Sequence, residues 1–434
     1  MIPALALDRH CKHSEAIPPL KDVHCLSRRE WIRPGIPLQK GDYERPMVIT
    51  GLEQVVRDPN LLAGAGRLGL LYNQASVDSS FRLAPDVLNR ALPGRLTTLF
   101  GPQHGAGGTE QDNMDETPHA THPRLGLPIF SLYAQTREPS QEMLELVDTV
   151  VVDLQDVGAR VYTFAATVLH LMEACAGLEK ALIVLDRPNP INGTHVEGNL
   201  LKKGCESFVG PRPIPMRHGL TLGELMKLYN EVYQVGCTLS VVAMENWDRR
   251  AYFEATGLPW ALPSPNMPLV DTAIVYPGQV VLEGTNLSEG RGTTRPFEIF
   301  GAPYMKTDRI MEALEKEAVT GAVLREAEFR PTFNKWAGQV CRGFQIHVTD
   351  RDLFRPYRFT LALISALLKV HPGEFRWSDP PYEYVTDRLP ADVILGDPEV
   401  RQALEAGRSV REIEESWEED LRDFLRVRSE FLIY

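Results

Sequence analysis

The chain has 434 residues, 43% of them hydrophobic and 24% charged, the profile of a soluble globular protein of two or three domains. Its 58 acidic residues against 46 basic ones give a formal net charge of -12. That balance argues against nucleic acid or an anionic membrane as partner, because both need a basic footprint.

In chain order, residues 1–45 carry prolines and mixed charge without a period, and read as a poorly ordered extension. No secretory signal is read in them, so the expected compartment is the cytoplasm. No stretch approaches the roughly 20 apolar residues needed to span a bilayer. Cys11, Cys25, Cys175, Cys205, Cys237 and Cys341 show no zinc or redox spacing, and their low density fits a reducing compartment.

Residues 46–303 then alternate strand-like and helix-like segments. Leu239–Ala243 reads as a fifth strand, and Leu68–Tyr72, Leu96–Phe100, Thr149–Val152 and Ala181–Leu185 are short apolar runs without alternation. Such runs predict strands buried on both faces, hence a parallel sheet. Helices are expected at Leu83–Leu92, after Pro139, from Val161 to a stop at Gly177, and after the capping box Thr221-Leu222-Gly223-Glu224. Pro259 to Pro303 is dense in glycine and proline and reads as one long functional loop. Residues 304–434 read as a smaller α+β domain. It has a helix at Arg309–Ala318, a strand at Gly343–Val348, a helix near Leu361–Leu368 and an acidic helix at Val410–Arg428.

In parallel sheets, ligands bind beyond the carboxyl ends of the strands. Those ends carry Asn73-Gln74, Gly101-Pro102-Gln103-His104-Gly105, Asp153-Leu154-Gln155-Asp156 with Arg160, and Asp186-Arg187-Pro188-Asn189. Asp153, Asp156 and Arg160 suit either an ion pair pinning the turn or a substrate clamp. Asp186 and Arg187 lean to function, and their prolines and Asn192 to structure. Gly64-Ala65-Gly66-Arg67-Leu68-Gly69 precedes its strand instead of following one, so it is not a dinucleotide fingerprint. His119 and His122 read as exposed loop histidines rather than metal ligands. Neither a metal nor a cofactor is expected. The Glu283–Arg295 loop, with paired acids and Asn286, Glu289 and Arg291, suits glycosyl transfer, which needs one carboxylic acid and one stabilising group.

Taken together, these strings resemble the NamZ-type exo-β-N-acetylmuramidases (glycoside hydrolase family 171). The match runs from about Gly51 to Tyr434 and includes Val161-Tyr162-Thr163, Pro263-Ser264-Pro265-Asn266-Met267-Pro268, Ile214-Pro215-Met216-Arg217-His218-Gly219 and His347-Val348-Thr349-Asp350-Arg351. The resemblance implies a Rossmann-like, mostly parallel sheet domain without nicotinamide, plus a smaller C-terminal α+β domain, with the active site between them. It implies release of terminal N-acetylmuramic acid (MurNAc) from peptidoglycan fragments, a step of cell-wall recycling.

One position departs from the family pattern. Where the family's Pro-Glu-His-Gly motif has glutamate, this chain has Gln103, which cannot titrate. The missing carboxyl is expected from Glu110 or Asp112, or from Glu283 or Glu289. Otherwise the substrate's 2-acetamido group acts as nucleophile with Gln103 orienting it. Glu289 is the first choice for general acid and Asp156 for the second carboxylate, with His104 bonding a sugar hydroxyl or a carboxylate. Arg291, Arg160 or Arg187 would pair the lactyl carboxylate. Asn73, Gln74, Tyr162, Asp186, Asn266, Glu283 and Asn286 complete the expected substrate-binding set. The alternatives are a non-hydrolytic amino-sugar-binding protein or a hydrolase of another acidic glycoside.

Overall fold

The computed structural model describes residues 46–434 except positions 113 and 135, so the 1–45 extension with Cys11 and Cys25 lies outside the described residues. Its strands are β1 (Leu68–Tyr72), β2 (Leu96–Gly101), β3 (Ala120–Thr121), β4 (Pro128–Ser131), β5 (Thr149–Asp153), β6 (Ala181–Leu185), β7 (Glu197–Leu200), β8 (Pro215–Arg217), β9 (Thr238–Val242), β10 (Ile299–Ala302), β11 (Ala322–Phe329) and β12 (Cys341–Val348). Seven form one sheet in the order β3-β4-β2-β1-β5-β6-β9. All its pairings are parallel except β3 with β4. Every residue of β1 and β5 is buried, which is why neither run alternates.

From β1 the chain winds outward to β2 and β4, then returns to β5 and continues through β6 to β9. The direction of winding therefore reverses between β1 and β5. At such a switch point a crevice opens beyond the carboxyl ends of the strands.

The helices follow their signals with small shifts. The capping box forms: the Glu224 amide donates to Thr221 Oγ1 at 3.2 Å, and the Thr221 amide to the Glu224 carboxylate at 3.0 Å. The stripe expected from Val161 becomes the helix Phe164–Gly177, because Val161 to Thr163 remain in the loop over the sheet edge. The segment after Pro139 is a short helix, Gln141–Glu145, capped by Ser140.

Two expectations are corrected. The 259–303 segment is not one loop: it holds the helix Val270–Gln279, the 3-10 turn Val280–Gly284 and β10. Pro277 sits inside that helix, and the local density of proline and glycine hid an apolar face made by Val270, Ala273 and Ile274. The acidic terminal helix is two, Val410–Glu415 and Glu418–Arg428, broken at Trp417. β12 has partners on both sides, giving the antiparallel order β10-β12-β11. Arg325, Glu326 and Glu328 in β11 masked its alternation. The helices Val270–Gln279 and Pro356–Val370 cross at Gly278, where a Cβ would lie 1.9 Å from the Pro356 carbonyl oxygen. Only glycine permits that approach.

Cys175, Cys205, Cys237 and Cys341 are buried free thiols. Among the described residues, no helix is long and apolar enough to cross a membrane.

Candidate active site

A polar cavity opens beyond the carboxyl ends of β2 and β5. Its walls are Gln103 and His104 after β2, Val161 to Phe164 after β5, Ser264, Asn266 and Met267, then Tyr276, Glu283, Arg291, Phe297, Tyr382 and Glu383. Its free volume is about 30 Å³, room for a water rather than a sugar ring.

Gln103 does not stand alone. Its Oε1 accepts from the Thr163 hydroxyl at 2.6 Å, which turns its amide nitrogen toward Glu383. That Nε2 donates to Glu383 Oε1 at 3.1 Å, and Tyr133 donates to Glu383 Oε2 at 2.7 Å. Glu383 is 4% exposed. Burial raises its carboxyl above the ordinary range, against the bonds from Tyr133 and Gln103, and the charge of Glu283 adds to the rise. A carboxyl thus lies against the position where the family's glutamate is replaced.

The turn that carries Glu383 is strained. Tyr382 and Val385 exchange backbone bonds of 3.0 and 2.9 Å, leaving Glu383 and Tyr384 at the tip with φ of 44° and 66°. Two positive φ values in a tight turn are the Asn-Gly pattern, so a glutamate and a tyrosine there carry strain of the kind found at functional sites.

Glu283 is the second carboxylate of the cavity. Its Oε1 accepts from Arg291 Nη2 at 2.7 Å and Nε at 3.2 Å, and its Oε2 from the Tyr382 hydroxyl at 2.6 Å. Burial opposes its ionisation, but the Arg291 charge and these bonds hold it below the usual carboxylate range. The two carboxyls are therefore pushed apart: Glu383 toward the acid, Glu283 toward the anion.

His104 lines the cavity with φ of 68°. Its Nδ1 is 2.7 Å from the Glu110 carbonyl oxygen. Burial and then the Arg291 charge push its pKa down to about 4. The neutral ring donates from Nδ1 and presents Nε2 as an acceptor. Asn266 lines the same wall and donates to the Gln111 carbonyl at 2.8 Å. Tyr162 adds an aromatic wall.

Other expected residues are held elsewhere. Glu289 does not line the cavity: Lys335 lies 2.9 Å and Arg291 3.5 Å from its carboxylate, so it anchors the loop. Glu110 contributes its carbonyl, while its carboxylate accepts from Thr109 at 3.2 Å. Asp112 accepts from Asn334 at 3.0 Å. Asp156 binds the Gly158 amide at 2.7 Å and faces His218 at 3.6 Å, outside the lining. Arg160 donates to the carbonyls of Asn199, Ile214, Ile394 and Leu395, tying the two halves of the chain together. Arg187 forks onto Asp153 at 2.5 and 2.8 Å.

Asp186 accepts from Thr221, Gly223 and Tyr434, and burial pushes its pKa up to about 6. Asn73 bonds the Pro263 carbonyl and Gln74 the Leu262 carbonyl. Asn286 bonds Glu374, Tyr304 and Arg376. His122 is buried, with its Nδ1 accepting from Leu125, while His119 is exposed.

The sequence reading missed Glu383, Tyr382, Tyr133, Thr163, Tyr276 and Phe297. The signal for Glu383 was present as Pro380-Pro381-Tyr382-Glu383-Tyr384, a proline-stiffened loop presenting an acid between aromatics.

Two carboxyls of opposite protonation bias in one polar cavity, on a doubly wound sheet, are the acid and anion pair that glycoside hydrolysis needs. Residues 68–271 match the family model of the N-terminal domain of exo-beta-N-acetylmuramidase NamZ, and residues 274–434 the model of its C-terminal domain. The peptidoglycan beta-N-acetylmuramidase NamZ of Bacillus subtilis is 40% identical over 391 residues, 90% of this chain and 92% of the relative. A DUF1343 family protein of Bacteroides fragilis superposes with a TM-score of 0.79 at 31% identity, over 90% of this chain and 100% of that one. A second from the same organism gives 0.69 at 28%, over 90% and 99%. The chain belongs to the NamZ exo-beta-N-acetylmuramidase family.

Proposed function

We propose that this protein is an exo-β-N-acetylmuramidase that removes terminal MurNAc from peptidoglycan fragments, and that the reaction takes place between Glu383 and Glu283. The Gln103–Glu383 hydrogen bond carries the reading, because it supplies the carboxyl that Gln103 lacks. Glu383, protonated, gives its proton to the departing glycosidic oxygen. Glu283, ionised and held by Arg291 and Tyr382, places negative charge against the oxocarbenium-like anomeric carbon. Water then adds to that carbon, and the proton it loses restores the Glu383 acid. Neutral His104 accepts a hydrogen bond from a sugar hydroxyl, and Tyr162, Tyr276 and Phe297 form the apolar walls.

The test is hydrolysis of MurNAc-GlcNAc, whose leaving sugar needs a proton, across pH. Release of free MurNAc is expected, with a bell-shaped kcat/KM. The acid limb marks protonation of Glu283, whose pKa is lowered, and the alkaline limb loss of the Glu383 proton, whose pKa is raised. No release at any pH contradicts the function. A rate flat from acid to alkaline pH contradicts the pair of roles.

A further inference from the structure

Arg137 lies in the loop after β4, at the carboxyl edge of the sheet. Its guanidinium carbon sits 3.6 Å from the centroid of the Tyr384 ring, 4.9 Å from that of Tyr133 and 5.6 Å from that of Phe208. Three aromatic rings therefore fix the cation in place. None of these rings supplies a carboxylate or carbonyl. Nε and Nη2 of Arg137 are buried and have no hydrogen-bond partner among the described residues. A guanidinium stays charged, and donors shielded from water without an acceptor are costly. The missing acceptor is a planar anion that takes both donors at once.

The fork stands beside the acid. Tyr133 donates to Glu383, and Tyr384 follows Glu383 in the strained turn. Arg160, Arg187 and Arg291, the arginines expected to meet the lactyl group, are engaged with protein carbonyls and carboxylates.

We propose that Arg137 is the specificity-determining residue that receives the lactyl carboxylate of the terminal sugar, the group that separates MurNAc from N-acetylglucosamine (GlcNAc). This rests on the exo-muramidase reading above. A carboxylate on a peptide attached to the lactyl group has the same chemistry, so the test separates the two sources.

The experiment is calorimetric binding of MurNAc, GlcNAc and MurNAc bearing a dipeptide to the full chain, as wild type, Arg137→Met and Arg137→Lys. Wild type is expected to bind MurNAc about 30-fold tighter than GlcNAc, the worth of a charge-assisted hydrogen bond. Arg137→Met, which keeps an aliphatic stem against the rings, is expected to bind the two sugars equally. Arg137→Lys is expected to keep part of the preference. The ratio between two sugars is insensitive to a partly unfolded sample. In turnover, Arg137→Met is expected to raise KM by a similar factor.

An undiminished MurNAc preference in Arg137→Met overturns the proposal, as does a wild type that binds both sugars alike. Tighter binding of the dipeptide form, with MurNAc equal to GlcNAc, overturns the lactyl assignment. If wild type shows the Arg137-dependent preference but cleaves no muramide, the hydrolase reading fails and the carboxylate receptor stands. If it cleaves and Arg137→Met keeps its preference, the receptor alone fails.

Discussion

Glu383→Gln is expected to lower kcat on MurNAc-GlcNAc by about 10³-fold, the contribution of a positioned general acid. The fold should survive, because the glutamine oxygen can still accept from Gln103 while its amide nitrogen donates to the Tyr133 hydroxyl, which can turn to accept. The loss on 4-nitrophenyl β-N-acetylmuramide is expected to be far smaller, because nitrophenolate leaves with little help from a proton. The reciprocal double variant, Gln103→Glu with Glu383→Gln, returns the carboxyl to the family's position. It is expected to recover activity to within about tenfold of wild type. Gln103→Glu alone puts two carboxyls about a hydrogen bond apart, where both cannot ionise, and is expected to shift the alkaline limb upward. Equal losses on both substrates, or a Glu289→Gln variant that loses more than Glu383→Gln, would place the acid elsewhere.

The largest stability effect is expected at Arg187. Its fork onto Asp153 is buried at both ends, with Arg187 6% and Asp153 0% exposed. It also donates to the Val77 carbonyl at 2.9 Å. Arg187→Met leaves a carboxylate at the end of the inner strand β5 without its cation. The expected cost is about 4 kcal/mol in urea unfolding, most of it the isolated charge. Adding Asp153→Asn removes that charge and is expected to restore about half. A single variant within 1 kcal/mol of wild type would contradict this reading of the pair.

The sheet was legible because each buried strand is a short, mostly apolar run without alternation that ends in a polar string. The helix Val270–Gln279 was not, because Pro277 and its glycine-rich flanks read as loop although a tertiary partner, Pro356–Val370, covers its apolar face. Glu283, Gln103, His104, Asn266 and Arg291 were found from strand ends and loop chemistry and Tyr162 from the family resemblance, and all of them line the cavity. Arg160, Arg187 and Asp186 were not separable from these in sequence. A buried arginine that meets four carbonyls 39 to 235 positions away looks the same there as one that meets a ligand. Glu383 was missed for the same reason: its bond to Gln103 spans 280 positions. The gap at Gln103 was visible, and its repair was a long-range fact.

The central claim is that this chain cleaves a terminal MurNAc. Its most direct test is incubation of the full chain with MurNAc-GlcNAc and, separately, GlcNAc-MurNAc, with products read by mass spectrometry. Free MurNAc and GlcNAc from the first, with the second intact, is the predicted result. MurNAc-GlcNAc left whole under conditions where it binds would mean that the cavity holds the sugar without cutting it.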